Sequence, residues 1–299
     1  MNLLNWWCQR GWQLISQEEY RTAYKNWGGS LATHPDFIEK ISDLVSTQTE
    51  YFGYFDNQTL MAALPTWGRF IAGHKRALKK MGRYQDVDLG NMEIILPISP
   101  TAKTIPLHFK IDYLSTLHQS QISTLKSARH SLSLLKNFNQ EFSRKFIYNR
   151  KRELRLLQEN GIEIIELSKL SAEEIGSHYS LLFEKRWEQL PRASHNIIKQ
   201  LDALKDYLIG FALFKNRQPI AIQMVFCIET TTHISAEFIN AGVDLAFNQL
   251  SPGSVLTFIN TEWASQFALD RKKPLRYSFG ILDQDYKKLW CNSSPVFRT

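Results

Sequence analysis

Residues 249–290 read QLSPGSVLTFINTEWASQFALDRKKPLRYSFGILDQDYKKLW, and the rest of the chain is organised around this stretch. Ser251 is a suitable N-cap, and Pro252 suits the first helical position because its missing N–H would have no partner there. Val255, Leu256, Ile259, Trp263 and Phe267 then recur at helical spacing. Pro274 stops the helix, and Leu275 to Phe279 reads as a short buried strand leading into Gly280 and an acidic turn. Turn, helix, strand and acidic turn therefore follow one another directly.

Working outward, the sequence before Gln249 gives a strand from His233 to Gly242 and a hairpin of Tyr207–Phe214 and Pro219–Ile228 around a polar turn. Ser171 and Glu174 form a capping box for a helix reaching Leu190. Phe142 to Gln158 is a helix with many basic residues, among them Arg144, Lys145, Arg150 and Arg152, and Ile162 to Leu167 alternates as a strand. In the first half, Asp36 starts a helix with Phe37, Ile38, Ile41 and Leu44 on one side. Tyr51–Phe55 and Leu60–Trp67 flank a polar turn as a second hairpin. A basic loop, His74 to Arg83, precedes a buried strand at Met92–Ile98. The Ser/Thr-rich connector after Pro106 reads as helical around Leu117 to Leu135, with a domain boundary at residue 137. The amphipathic helix followed by a hairpin occurs in both halves, which suggests two related units.

Composition narrows the function classes. The chain has 299 residues, 43% of them hydrophobic, enough for one large core or two ordinary ones. Its three cysteines, Cys8, Cys227 and Cys291, are far apart, which argues against a disulfide framework or a metal site and for a reducing, cytoplasmic setting. The apolar runs fall short of a membrane span, and Trp6, Trp7 and Trp12 beside Arg10 read first as packing onto a domain, with seating at a membrane interface as the alternative. A net charge of +7 favours anionic partners: phosphate-bearing cofactors, tRNA or an anionic inner-membrane surface. No P-loop, dinucleotide fingerprint, zinc-protease motif or nucleophile elbow occurs, and no helix-turn-helix pattern supports specific DNA binding.

The hairpin turn Phe-Lys-Asn-Arg-Gln-Pro-Ile-Ala, the strand Ile234–Ala241, the Leu-Ser-Pro-Gly-Ser-Val-Leu helix start and Tyr-Ser-Phe-Gly followed by Asp-x-Tyr-Lys together resemble the Fem-like branch of the GNAT acyltransferases over residues 142–291. Ala63-Leu-Pro-Thr-Trp-Gly-Arg69, Lys75-Arg-Ala-Leu-Lys-Lys80 and Ser278 to Trp290 resemble the Mig-14 family, which is linked to resistance to cationic antimicrobial peptides. The resemblance implies an α+β fold of tandem GNAT-like domains: a degenerate domain at residues 1–137 and a more typical one at 138–299. It also implies N-acyl transfer without a metal, from a donor held at the helix start by Ser251, Gly253 and Ser254, with Lys287 pairing an anionic group. Leu-Ser-Pro-Gly replaces the usual Arg/Gln-x-x-Gly-x-Gly/Ala loop, so aminoacyl-tRNA stands beside acyl-CoA as the expected donor. Acid–base work in this setting falls to Glu237, Asp283 and Tyr286. The competing expectation is a non-catalytic protein lying peripherally on an anionic membrane surface.

Overall fold

In the computed structural model, residues 11–299 are described, so Trp6, Trp7, Cys8 and Arg10 lie outside the described residues. The first half contains β1 (Trp12–Ile15), α1 (Gln17–Trp27), α2 (Pro35–Leu44), β2 (Glu50–Asp56), β3 (Thr59–Trp67), β4 (Phe70–Ile71) and α3 (Lys75–Lys80). Next come β5 (Lys126–Ser127), β6 (Leu132–Leu135), α4 (Arg144–Glu159), β7 (Ile162–Glu166), α5 (Ala172–Trp187) and α6 (Ile197–Leu204). The chain continues with β8 (Leu208–Ile209), β9 (Phe211–Lys215), β10 (Gln218–Glu229), β11 (Ile234–Val243), α7 (Pro252–Asp270) and β12 (Leu275–Ile281). It closes with α8 (Asp285–Trp290), β13 (Cys291–Ser294) and β14 (Phe297–Arg298).

Two sheets dominate: a four-stranded one in the order β1-β2-β3-β4, and an eight-stranded one in the order β13-β6-β12-β11-β10-β9-β7 with β8 added beside β10. Both hairpins form as read. Their two-residue turns, Asn57-Gln58 and Asn216-Arg217, hold both residues at positive φ, the geometry whose twist matches the paired strands. The capping box at Ser171 and Glu174 is also present.

Three local readings are corrected. The connector is not helical from Leu117 to Leu135; it has a single short turn at Thr116–His118 and then β5 and β6. Leu132 to Leu135 pair with both β12 and β13, and that pairing outweighs any local helical preference. Residues 132–135, which precede the expected boundary, thus lie inside the sheet of the second half. Met92 to Ile98 is buried but forms no continuous strand, its ladder pairing being limited to isolated bridges at Ile94 and Ile98, and Pro97 has no N–H to give to a ladder. The basic loop contains α3, capped by His74, whose Nδ1 accepts from the N–H of Arg76 at 3.0 Å.

One apolar core runs through both halves, joining Phe37, Ile38 and Ile41 of α2 to Leu201, Leu204, Phe226 and Ile228. Among the described residues no helix is long and apolar enough to cross a membrane. The helix α5 packs tightly on β11 at Gly242, where a Cβ would stand 2.6 Å from Leu182 Cβ and 2.9 Å from the backbone nitrogen of Phe183. Gly242→Ala is therefore expected to push α5 off the sheet and cost about 1–3 kcal/mol of stability, measured by denaturant unfolding.

Candidate functional site

The site is made by two parallel strands that part. The strands β11 and β12 pair from Ile234/Leu275 to Glu237/Ser278, and their ladder ends there although both continue. A register shift opposite Met224 and Val225 adds a bulge to β11 at Ile239, just beyond the point where its pairing with β12 ends. The wedge between the arms opens into two cavities that share Arg186, Phe238, Ala241 and Tyr286 as walls.

The first cavity, about 480 Å³, is bounded by Ser251, Gly253 and Ser254 at the start of α7, by Gln223 and Thr257 on its floor, and by Trp290. Ser251 occupies the N-cap position as expected but sits in the left-handed region at φ 51°, with no side-chain cap bond. Pro252 has no N–H, and the N–H groups of Ser254 and Val255 donate to the Ser251 carbonyl at 3.1 and 3.0 Å, so in the first turn the Gly253 N–H is the one left to meet an anion. At Gly253 an added Cβ would meet only Val243, at 3.3 Å. The floor is polar but satisfied: Gln223 Nε2 donates to Thr257 Oγ1 at 2.7 Å, and Gln223 Oε1 accepts from Asn260 Nδ2 at 2.8 Å. Asn260 and Thr261 are buried along with Val255, Leu256 and Phe258, so α7 is covered on more sides than the expected apolar stripe. Ser254 hydrogen-bonds the guanidinium of Arg150 on α4, which also pairs with Glu153. Arg150 Nε and one oxygen of Glu153 are buried without a partner.

The second cavity, about 380 Å³, lies on the other side of Tyr286 and is walled by both halves: Lys75, Asp88 and Asn91 from the first, Arg192, Gly280, Asp283 and Lys287 from the second. Burial pushes the Tyr286 phenol up to about 12, against the pull of Arg186. Arg186 stacks on Trp187 at 4.8 Å and, among the described residues, has no ion-pair partner. Cys227 and Cys291 are buried free thiols, each pushed up to about 12 by burial, so neither supplies a thiolate near neutral pH. No group of three or more His, Cys, Asp or Glu is placed to hold a metal ion among the described residues.

Of the residues singled out in the sequence, Ser251, Gly253, Ser254 and Tyr286 meet at the first cavity, and Asp283, Lys287 and Tyr286 at the second. Asp283 and Lys287 are an ion pair of 2.8 Å, and Lys287 also donates to the carbonyl of Ile281 at 2.6 Å. The N-cap of α8 is Gln284, so Asp283 does not cap that helix. Arg186, Arg150, Lys75 and Arg192 were not singled out for this cleft as a group; they come from separate segments and only the fold gathers them.

Glu237 lines neither cavity. It stands at the last rung of the ladder but faces the first half, where its carboxylate accepts the N–H of Glu93 at 2.9 Å and it is 2% exposed. Burial, and then the carboxylate of Glu93, raise Glu237 well above the ordinary range. Glu93 is held by Arg276, whose Nε donates to it at 2.9 Å. A carboxyl raised in the folded state contributes stability that is complete below its unfolded value and is lost as pH climbs. Glu237→Gln, which never ionises, is therefore expected to gain on the parent as pH rises from about 4 to 8. Denaturant midpoints across that range check this, and a pH-independent gap would contradict it.

The crystal structure of FemX has the same fold, with a TM-score of 0.53, 11% identity and 96% of each chain covered. A conserved protein of unknown function from Bacteroides thetaiotaomicron scores 0.48 at 11% identity, covering 96% of this chain and 98% of that one. A tandem GNAT protein from the clavulanic acid biosynthesis pathway scores 0.45 at 9% identity, covering 96% and 97%. No curated protein matches the chain. The FemX likeness is one of fold, and the architecture is Fem-like. A family model described as Mig-14 matches residues 34–299, and the chain belongs to the Mig-14 family.

Proposed function

We propose that the chain is an N-acyltransferase that takes its acyl group from acyl-CoA or an aminoacyl-tRNA, within the peptide-resistance role that the Mig-14 resemblance implies. The observation that carries this reading is the junction of two cavities at Tyr286 and Arg186, one of them opening on the start of α7 at Gly253, which has no side-chain cap. A donor phosphate fits that helix start, with Gly253 allowing close approach, and the acyl end then reaches the junction. An amine in the second cavity attacks the acyl carbonyl carbon. The new C–N bond forms as the thioester C–S or ester C–O bond breaks. Asp283 takes the proton released by the amine, and Tyr286, which keeps its proton at neutral pH, gives it to the leaving sulfur or oxygen. Arg186 faces the oxyanion that develops between them. Glu237 serves the fold beneath this site, holding the two halves together where the strands part.

Donor binding is tested by thermal shift with acetyl-CoA and with aminoacyl-tRNA. One of them is expected to stabilise the parent and to lose its effect in Gly253→Trp; stabilisation by neither, or equal stabilisation of both proteins, would sink the reading. Tyr286→Phe is expected to slow transfer about 10²- to 10⁴-fold with the fold intact, followed by release of free CoA or tRNA.

A second reading rests on α4, whose Arg144, Lys145, Arg152 and Arg155 are exposed beside Tyr148. That face suits an anionic membrane surface. Cosedimentation with anionic liposomes, together with full peptide resistance in Tyr286→Phe and Arg186→Ala strains, would favour this reading over the enzyme.

A further inference from the structure

Lys75 is the most unusual cation in the cleft. It comes from the first half, at the start of α3, yet it lines the second cavity with Arg192 of the second half. Its ammonium gives one hydrogen bond, to Asn91 Oδ1 at 2.6 Å, and among the described residues no carboxylate lies in ion-pair contact with it. Arg192 is held by Asp88 and by the hydroxyl of Tyr84 at 2.8 Å, while its Nε is buried with no partner. Asn91 packs against Gly280, and Gly90 against Ile239, so the loop carrying these groups is seated across the mouth of the parted strands. Two N–H groups of Lys75 are thus left without an acceptor at the wall of the second cavity, and the Nε–H of Arg192, a residue of the same wall, is buried without one.

We infer that the second cavity is an anion-binding site in which Lys75 and Arg192 together hold a phosphate or carboxylate group of the molecule that enters there. This placement makes that molecule an amine-bearing acceptor that also carries an anion, and in that respect it rests on the transferase reading; the anion site itself does not.

The electrostatics agree. Burial, followed by repulsion from Arg192 and Lys79, brings Lys75 down to about 8, with Asp112 pulling the other way. Of the other charges of the cavity, Asp88 is paired with Arg192 and Asp283 with Lys287, while Arg186, which has no ion-pair partner among the described residues, adds to the positive field. A bound anion removes the repulsion and favours the ammonium, so binding is coupled to proton uptake and weakens as pH rises past about 8.

The test uses the full chain with isotopically labelled lysine, the Lys75 signal being assigned by its absence in Lys75→Arg, and titrates pH with and without inorganic phosphate or acetate. Phosphate or acetate is expected to raise the Lys75 midpoint by about one pH unit. Lys75→Gln is expected to weaken binding of the same anion at least about tenfold at pH 7, with a melting temperature no lower than the parent's. A larger response to phosphate assigns a phosphorylated acceptor, and a larger response to acetate assigns a carboxylate. An unmoved midpoint with both anions overturns the site, as does equal binding by Lys75→Gln; if that variant misfolds, the parent's titration alone decides. Because no acyl donor is present, a failed transfer assay leaves this result standing, and a failed anion titration leaves donor binding at Gly253 standing.

Discussion

A parallel sheet is stable because each strand satisfies the backbone of the next, and the strands β11 and β12 give up that pairing after four residues. Everything at the cleft compensates for or exploits the loss. The bulge at Ile239 falls on one arm just beyond the last rung, the helix α8 lays Trp290 and Tyr286 over the gap, and the loop carrying Gly90 and Asn91 crosses from the first half to cover the far end. The open backbone then faces the two cavities that the wedge opens into.

The first half is therefore more than a passenger. At the base of the wedge its Glu93 forms a buried ion pair with Arg276, and its backbone N–H meets Glu237. Breaking such a buried pair from one side commonly costs about 3–5 kcal/mol, because it strands a charge that water can no longer reach. The cavity above depends on the same contact: Lys75 and Asn91 occupy their positions only when the two halves are locked in this register.

Local chemistry made much of this fold readable. The helix after Ser251, both hairpins and the capping box at Ser171 depend on residues close in sequence, and they form where their patterns place them. Ser251 shows the limit: the N-cap position was legible, but its left-handed backbone, which removes the side-chain bond, was not. The connector failed because Leu132–Leu135 owes its state to β12 and β13, partners far along the chain. At the site, Asp283, Tyr286 and Gly253 were readable as members of short motifs. The inward turn of Glu237 was not, since a strand residue faces one of two sides and its sequence does not say which side holds the other half. Lys75 and Arg192 come from different segments, so their meeting is a property of tertiary structure alone.

The position of β6 has a consequence for synthesis on the ribosome. This strand precedes the whole second half in sequence, yet its neighbours on both sides are β12 and β13, and Phe297 and Thr299 return to hydrogen-bond Leu114 and Ile111 of the first half. Neither edge of β6 can be covered until residues 275–294 have been made, and the connector at 111–114 waits longer still. Contacts so distant in sequence slow folding and leave strand edges open in the meantime. The nascent chain is thus expected to complete its first half last, in a single late closure driven by its final strands.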